Sequence, residues 1–95
     1  MNIMEYITDK PITRRELVSL TGMTDRLVRE AIEKARRDGN IIINLQDGKG
    51  YFTSKDPSVL KRQYEINQSR AMSVLVQQKH IREKLKGADH EAQSQ

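Results

Sequence analysis

Arginine and threonine carry most of the chemistry this sequence offers. No Cys is present, and the two histidines, His80 and His90, have no partner at metal-ligand spacing. Thiolate nucleophiles, disulfides and Cys-ligated zinc are therefore excluded, and no metal or other cofactor is expected. There is no paired nucleophile and base and no phosphate-cradling glycine loop at recognisable spacing, so the chain does not read as an enzyme. What the residues can do is recognise. Arg14, Arg15, Arg26 and Arg29 each present a planar fork of donors that can grip two acceptors at once. Thr24 offers a hydroxyl at a helix start, and Lys49, between Gly48 and Gly50, offers a point charge at a turn.

Short, well-punctuated elements must hold these groups. Ile3, Met4 and Ile7 fall at helical spacing and stop before Asp9-Lys10-Pro11, which predicts a short first helix. Thr13-Arg14-Arg15-Glu16 fits a capping box, so a second helix starts there, turns Leu17, Val18 and Leu20 inward and ends at Thr21-Gly22. Thr24 is the expected N-cap of a third helix over 24–38, with Leu27, Val28, Ala31, Ile32 and Ala35 as its apolar stripe. The period then changes. The β-branched Ile41, Ile42 and Ile43, the turn signal Asp47-Gly48 and the returning Tyr51, Phe52 and Thr53 predict a small β-hairpin. Asp56-Pro57 opens a last segment without Gly or Pro from Ser58 to Lys86, a helix of roughly 44 Å at about 1.5 Å per residue. Residues 87–95 lack an apolar pattern and read as a disordered tail.

Val18 stands four positions before Gly22 and Val28 six after it, a spacing that suits two helices crossing closely around a turn that tolerates positive φ. The run from Leu17 to Ile32, followed by Arg36-Arg37-Asp38-Gly39-Asn40-Ile41-Ile42 and by Gly50-Tyr51-Phe52, resembles the small winged helix-turn-helix DNA-binding proteins of bacteria and their phages. The expected fold is therefore mainly α with a small β-hairpin. Residues 1–55 would form the winged helix-turn-helix domain, and a long C-terminal helix would span 56–86.

That resemblance implies a sequence-specific protein of double-stranded DNA, acting in transcription regulation or as an accessory factor of a phage or mobile element. The helix over 24–38 would enter the major groove, where Arg26 and Arg29 could each read guanine. Glu30 lies on the same outward face, and Thr24 suits a phosphate oxygen. Arg14 and Arg15 would reach the backbone across the groove, and Lys49 would rest on phosphate or in the minor groove as a wing tip. A plainer alternative stands beside this. Arg26 with Glu30, Arg29 with Glu33 and Glu33 with Arg37 are i, i+4 pairs of the kind found on solvated helix faces, and Asp25 to Asp38 holds five basic and four acidic residues. Such a face also suits a protein-interaction module that engages a host or replication protein.

On the last helix, Leu60, Tyr64, Asn67, Ala71, Val74, Gln78, Ile81 and Leu85 recur in alternating steps of four and three, a heptad seam that Leu75 widens and Asn67 and Gln78 interrupt. A homodimer through this helix is expected, with Leu60, Tyr64, Ala71, Val74, Leu75, Ile81 and Leu85 at the contact. The formal charge of +4 is unevenly spread: residues 1–54 hold nine basic and eight acidic residues, residues 55–86 hold eight and three, and Asp89 and Glu91 follow. No apolar run reaches the roughly 18 residues that would span a membrane, so a cytoplasmic protein without membrane partners is expected.

Overall fold

The computed structural model describes residues 2–93, with side chains described over 2–87. Its elements are a 3-10 turn at Ile3–Glu5, α1 at Arg14–Thr21, α2 at Asp25–Arg37 and α3 at Pro57–Gln93. The chain divides into two units between Gln63 and Tyr64, so the first turns of α3 belong with the N-terminal unit.

Local chemistry sets the N-terminal unit. The expected first helix is a single 3-10 turn: the Asn2 side chain accepts from the Met4 N–H at 3.0 Å, and Ile3 and Ile7 are buried to 3% and 4% exposure. Thr13 and Glu16 form the full capping box, each side chain accepting the other's backbone N–H at 3.1 Å. At the far end Gly22 takes φ 73° and donates its N–H to the Val18 carbonyl at 3.0 Å. Thr24 then caps α2 by accepting from the Leu27 N–H at 3.2 Å. At the end of α2 the backbone and side-chain amides of Asn40 both donate to the Ala35 carbonyl. Leu17, Val28, Ile32, Ala35, Ile42 and Tyr51 join Ile3 and Ile7 in one core, and α2 packs on both α1 and the 3-10 turn.

Two leucines expected inside lie outside. Leu20 is 61% exposed and Leu27 48%. Side chains advance about 100° per residue, so with Leu17, Val18 and Thr21 turned inward Leu20 falls beyond the buried arc of α1. Leu27 likewise sits at the edge of the arc set by Val28, Ile32 and Ala35.

The β-hairpin, and with it the winged helix as a fold, is not present. The described residues hold no sheet, only two isolated antiparallel bridges, Ile12 with Tyr51 and Ile43 with Phe52. Each is one reciprocal pair of hydrogen bonds, at 2.9 and 2.7 Å for the first and 2.7 and 3.0 Å for the second. Neither extends, because neighbouring donors are engaged elsewhere: the Asn44 N–H donates to the Gln63 side chain at 2.7 Å and the Thr53 N–H to the Thr8 carbonyl at 2.8 Å. The stretch that would finish the two strands also holds left-handed residues, Gln46 at φ 61° and Gly50 at φ 105°, which an extended ladder cannot accommodate. Tyr51 and Phe52 thus stitch the segment before α1 to the segment after α2. Gly50 is fixed by contact as well as by φ, since a Cβ there would lie 2.2 Å from the Ile12 carbonyl oxygen.

From Tyr64 onward the second unit is the remainder of α3. The helix continues past Gly87, where the sequence pattern ends it, to Gln93. Ser94 and Gln95, the last of the expected tail, lie outside the described residues, as do the side chains from Ala88 onward.

Candidate functional site

The start of α2 is placed from two sides. Leu17 and Val28, both 0% exposed, lock α1 and α2 together around Gly22. The first turn of α2 therefore stands out from a rigid pair, with Thr24, Asp25, Arg26 and Arg29 all exposed. Asp25 joins the two helices through charge. One carboxylate oxygen accepts from Arg14 Nε at 2.5 Å, and the other lies 3.3 Å from Arg29 Nε. Its hydrogen bond raises the Arg14 guanidinium above its usual pKa, helped by a hydrogen bond to Tyr51. The two arginines share one acidic partner, so this cluster keeps a net positive charge.

Arg26 follows the plainer pattern, with Nε 3.1 Å from Glu30 Oε1 in an i, i+4 pair, and its side chain is 82% exposed. Such exposed pairs are worth about 1 kcal/mol or less and open readily to a better acceptor. Arg29 does not take the expected Glu33 but reaches back to Asp25. Arg14 takes Asp25 across the turn, which local spacing alone does not disclose. Arg15 is exposed and makes no ion pair among the described residues. Lys49 is exposed on the loop, its backbone N–H donating to the Asp47 side chain at 3.0 Å. The close approach of Gly50 to Ile12 and Thr13 brings that loop to the start of α1, beside Arg14. Thr24 is exposed, but its hydroxyl already accepts the Leu27 N–H.

One further arginine of α2 turns back onto the domain. Arg36 donates to the Ile42 carbonyl from Nε at 3.3 Å and Nη2 at 3.1 Å, and its guanidinium lies 5.9 Å from the centre of the Tyr51 ring. It fastens the chain after α2 to the core. The other arginines of α1 and α2 are Arg14, Arg15, Arg26, Arg29 and Arg37, all exposed.

No group of three or more His, Cys, Asp or Glu side chains converges among the described residues. His80 Nδ1 lies 3.9 Å from Glu83 Oε2, a loose surface contact, and the His90 side chain is outside the described set. No helix among the described residues is long and apolar enough to cross a membrane.

On α3, Leu60 is half-buried within the first unit, whereas the other expected contact residues are exposed: Tyr64, Ala71, Val74, Leu75, Ile81 and Leu85. Met72 at 52% and Val76 at 53% are exposed too, on the side of the helix away from the seam. Set against family models, curated proteins and solved structures, the chain matches none of them.

Proposed function

We propose that the chain binds duplex DNA in a sequence-specific way, with α2 in the major groove and two copies paired through α3. The observation that carries this reading is the start of α2. Two capped helices locked at Leu17 and Val28 hold Arg14, Arg26 and Arg29 on an exposed edge, and Asp25 fixes the directions of two of them. Rigid presentation of guanidinium forks is what bidentate reading of guanine requires. Arg26 and Arg29 read bases, Arg14, Arg15 and Lys49 meet phosphates, and Glu30 releases Arg26 when a base edge replaces it. The part of the family resemblance carried by α1, its turn and α2 suggests the setting: transcription regulation, or an accessory role in a phage or mobile element.

Titration of labelled random duplex at low and moderate salt tests the reading. A DNA-binding chain shows affinity that falls steeply as salt rises, because phosphate contacts release counterions. Selection from a random duplex library should then return a recurring site. No measurable affinity at low salt would sink the proposal.

A specific observation also favours a second reading. The exposed Leu20 and Leu27, together with the self-paired Arg26 and Glu30, would suit a host or replication protein better than a phosphate backbone. Under that reading the random-duplex titration is flat.

A further inference from the structure

From Tyr64 onward α3 leaves a row of apolar side chains exposed, and the order of residues along that row constrains what covers it. We infer that its occupant is a second copy of the same helix running antiparallel, with Tyr64 opposite Ile81 of the other copy and Ala71 opposite its Val74; this rests on the pairing through α3 proposed above. The eight seam positions read Leu60, Tyr64, Asn67, Ala71, Val74, Gln78, Ile81 and Leu85, and the two amides stand third from either end. Reversing one copy over the full row therefore sets Asn67 against Gln78, so each amide meets an amide and each apolar side chain meets another. Any slip along the row sets a polar amide against an apolar side chain and breaks up the apolar layers. The same reversal sets the largest side chain, Tyr64, against Ile81 and the smallest, Ala71, against Val74, which evens out the layers.

A parallel pair of two is disfavoured by residue shape. Parallel dimers favour β-branched side chains at the first core position of the heptad and Leu at the second. Here the arrangement is reversed, with Val74 and Ile81 at the second and Ala71 and Leu85 at the first.

Charge points the same way. Residues 79–86 hold Lys79, Arg82, Lys84 and Lys86 against Glu83, a net +3. Residues 59–66, which reversal brings opposite, hold Lys61 and Arg62 against Glu65, a net +1. An antiparallel pair thus avoids stacking the two most basic segments, and it opposes the two helix dipoles. Its local cost is Lys61 facing Arg82, two exposed cations in water, where like charges repel weakly.

The extent of the row suits a second copy. Eight positions from Tyr64 onward, counting Leu75, cover on the order of 800 Å² per copy at roughly 100 Å² a side chain, which is the share each partner contributes to an ordinary stable interface. Only full overlap of the two rows reaches that area.

Because the chain lacks Cys, single substitutions give clean cross-linking probes. Tyr64→Cys and Ile81→Cys chains are prepared separately, mixed without DNA and oxidised. Antiparallel pairing predicts a mixed disulfide at least about tenfold more abundant than either self-linked product, since the partnered α-carbons then approach disulfide range while like positions lie about 25 Å apart along the axis. Efficient self-linking of Ile81→Cys would overturn the inference in favour of a parallel pair. Sedimentation equilibrium of the unaltered chain gives a check independent of any substitution: two copies support the pairing, and one or four overturn it. Loss of DNA binding with an intact mixed cross-link would remove the DNA reading and leave the pairing standing.

Discussion

The two units of this chain solve the same problem in opposite ways. Up to Gln63, the chain gathers Ile3, Ile7, Leu17, Val28, Ile32 and Ile42 into one core, and Leu17, Val28 and Ile43 are fully sealed from solvent. From Tyr64 to Gly87 a single helix buries none, and Tyr64, Met72, Val74, Leu75, Val76, Ile81 and Leu85 are all more than half exposed. Helices in proteins draw most of their stability from packing an apolar face; the first unit packs such faces within one chain, and the second leaves its apolar side chains uncovered. The difference also separates two tasks: the packed unit fixes directions, and the bare one offers area.

Breaking the packed unit should have the largest effect. Leu17→Ala removes a fully buried side chain from the junction of α1 and α2 and should cost about 2–5 kcal/mol, read as a lowered denaturation midpoint of the first unit. Next comes the exposed edge that this packing supports. Arg29→Ala should weaken binding to a selected duplex by about 1–3 kcal/mol and relax discrimination at one base step, whereas Lys49→Ala should weaken all sequences alike and lower the salt slope by about one. A quantitative binding series against the selected site and single-base variants checks both. Smaller again is Thr13→Ala, which removes one half of the capping box and should cost about 1 kcal/mol in a denaturant melt. At the bottom is Met72→Ala, exposed and off the seam, which should stay within about 0.5 kcal/mol of the parent. A large loss at Met72 would show that the second unit buries more than one side of its helix.

Helix caps are legible in the sequence because their partners stand close along the chain. The capping box at Thr13 and Glu16, the left-handed exit at Gly22 and the Thr24 cap all depend on residues within four positions, and the structure forms each of them. The apolar stripe of α2 is buried at Val28, Ile32 and Ala35. Leu20 and Leu27 lie outside, because helical spacing sets the angles between side chains but not how wide an arc the neighbouring elements cover. The hairpin failed for a related reason. Three isoleucines and two aromatics have strand propensity, but that propensity acts only where backbone donors find a continuous partner, and here Gln63 and Thr8 take them instead. In the candidate site, Arg26 with Glu30 was legible from spacing. The Arg14 to Asp25 bond, across eleven positions and a turn, and the inward role of Arg36 were not.

The paired bridges on Tyr51 and Phe52 bear on how the first unit acquires its structure. They tie residue 51 to residue 12 and residue 52 to residue 43, so both strips of backbone on either side of the helix pair are gathered by one later segment. Closing a loop of nearly forty residues costs chain entropy before any contact repays it, and that cost falls on a step that can occur only after residue 52 has been made. During synthesis α1 and α2 would therefore wait, capped but unclosed, until the Tyr51–Phe52 segment emerges. The core of the first unit, which includes Tyr51, is complete only once that segment is in place.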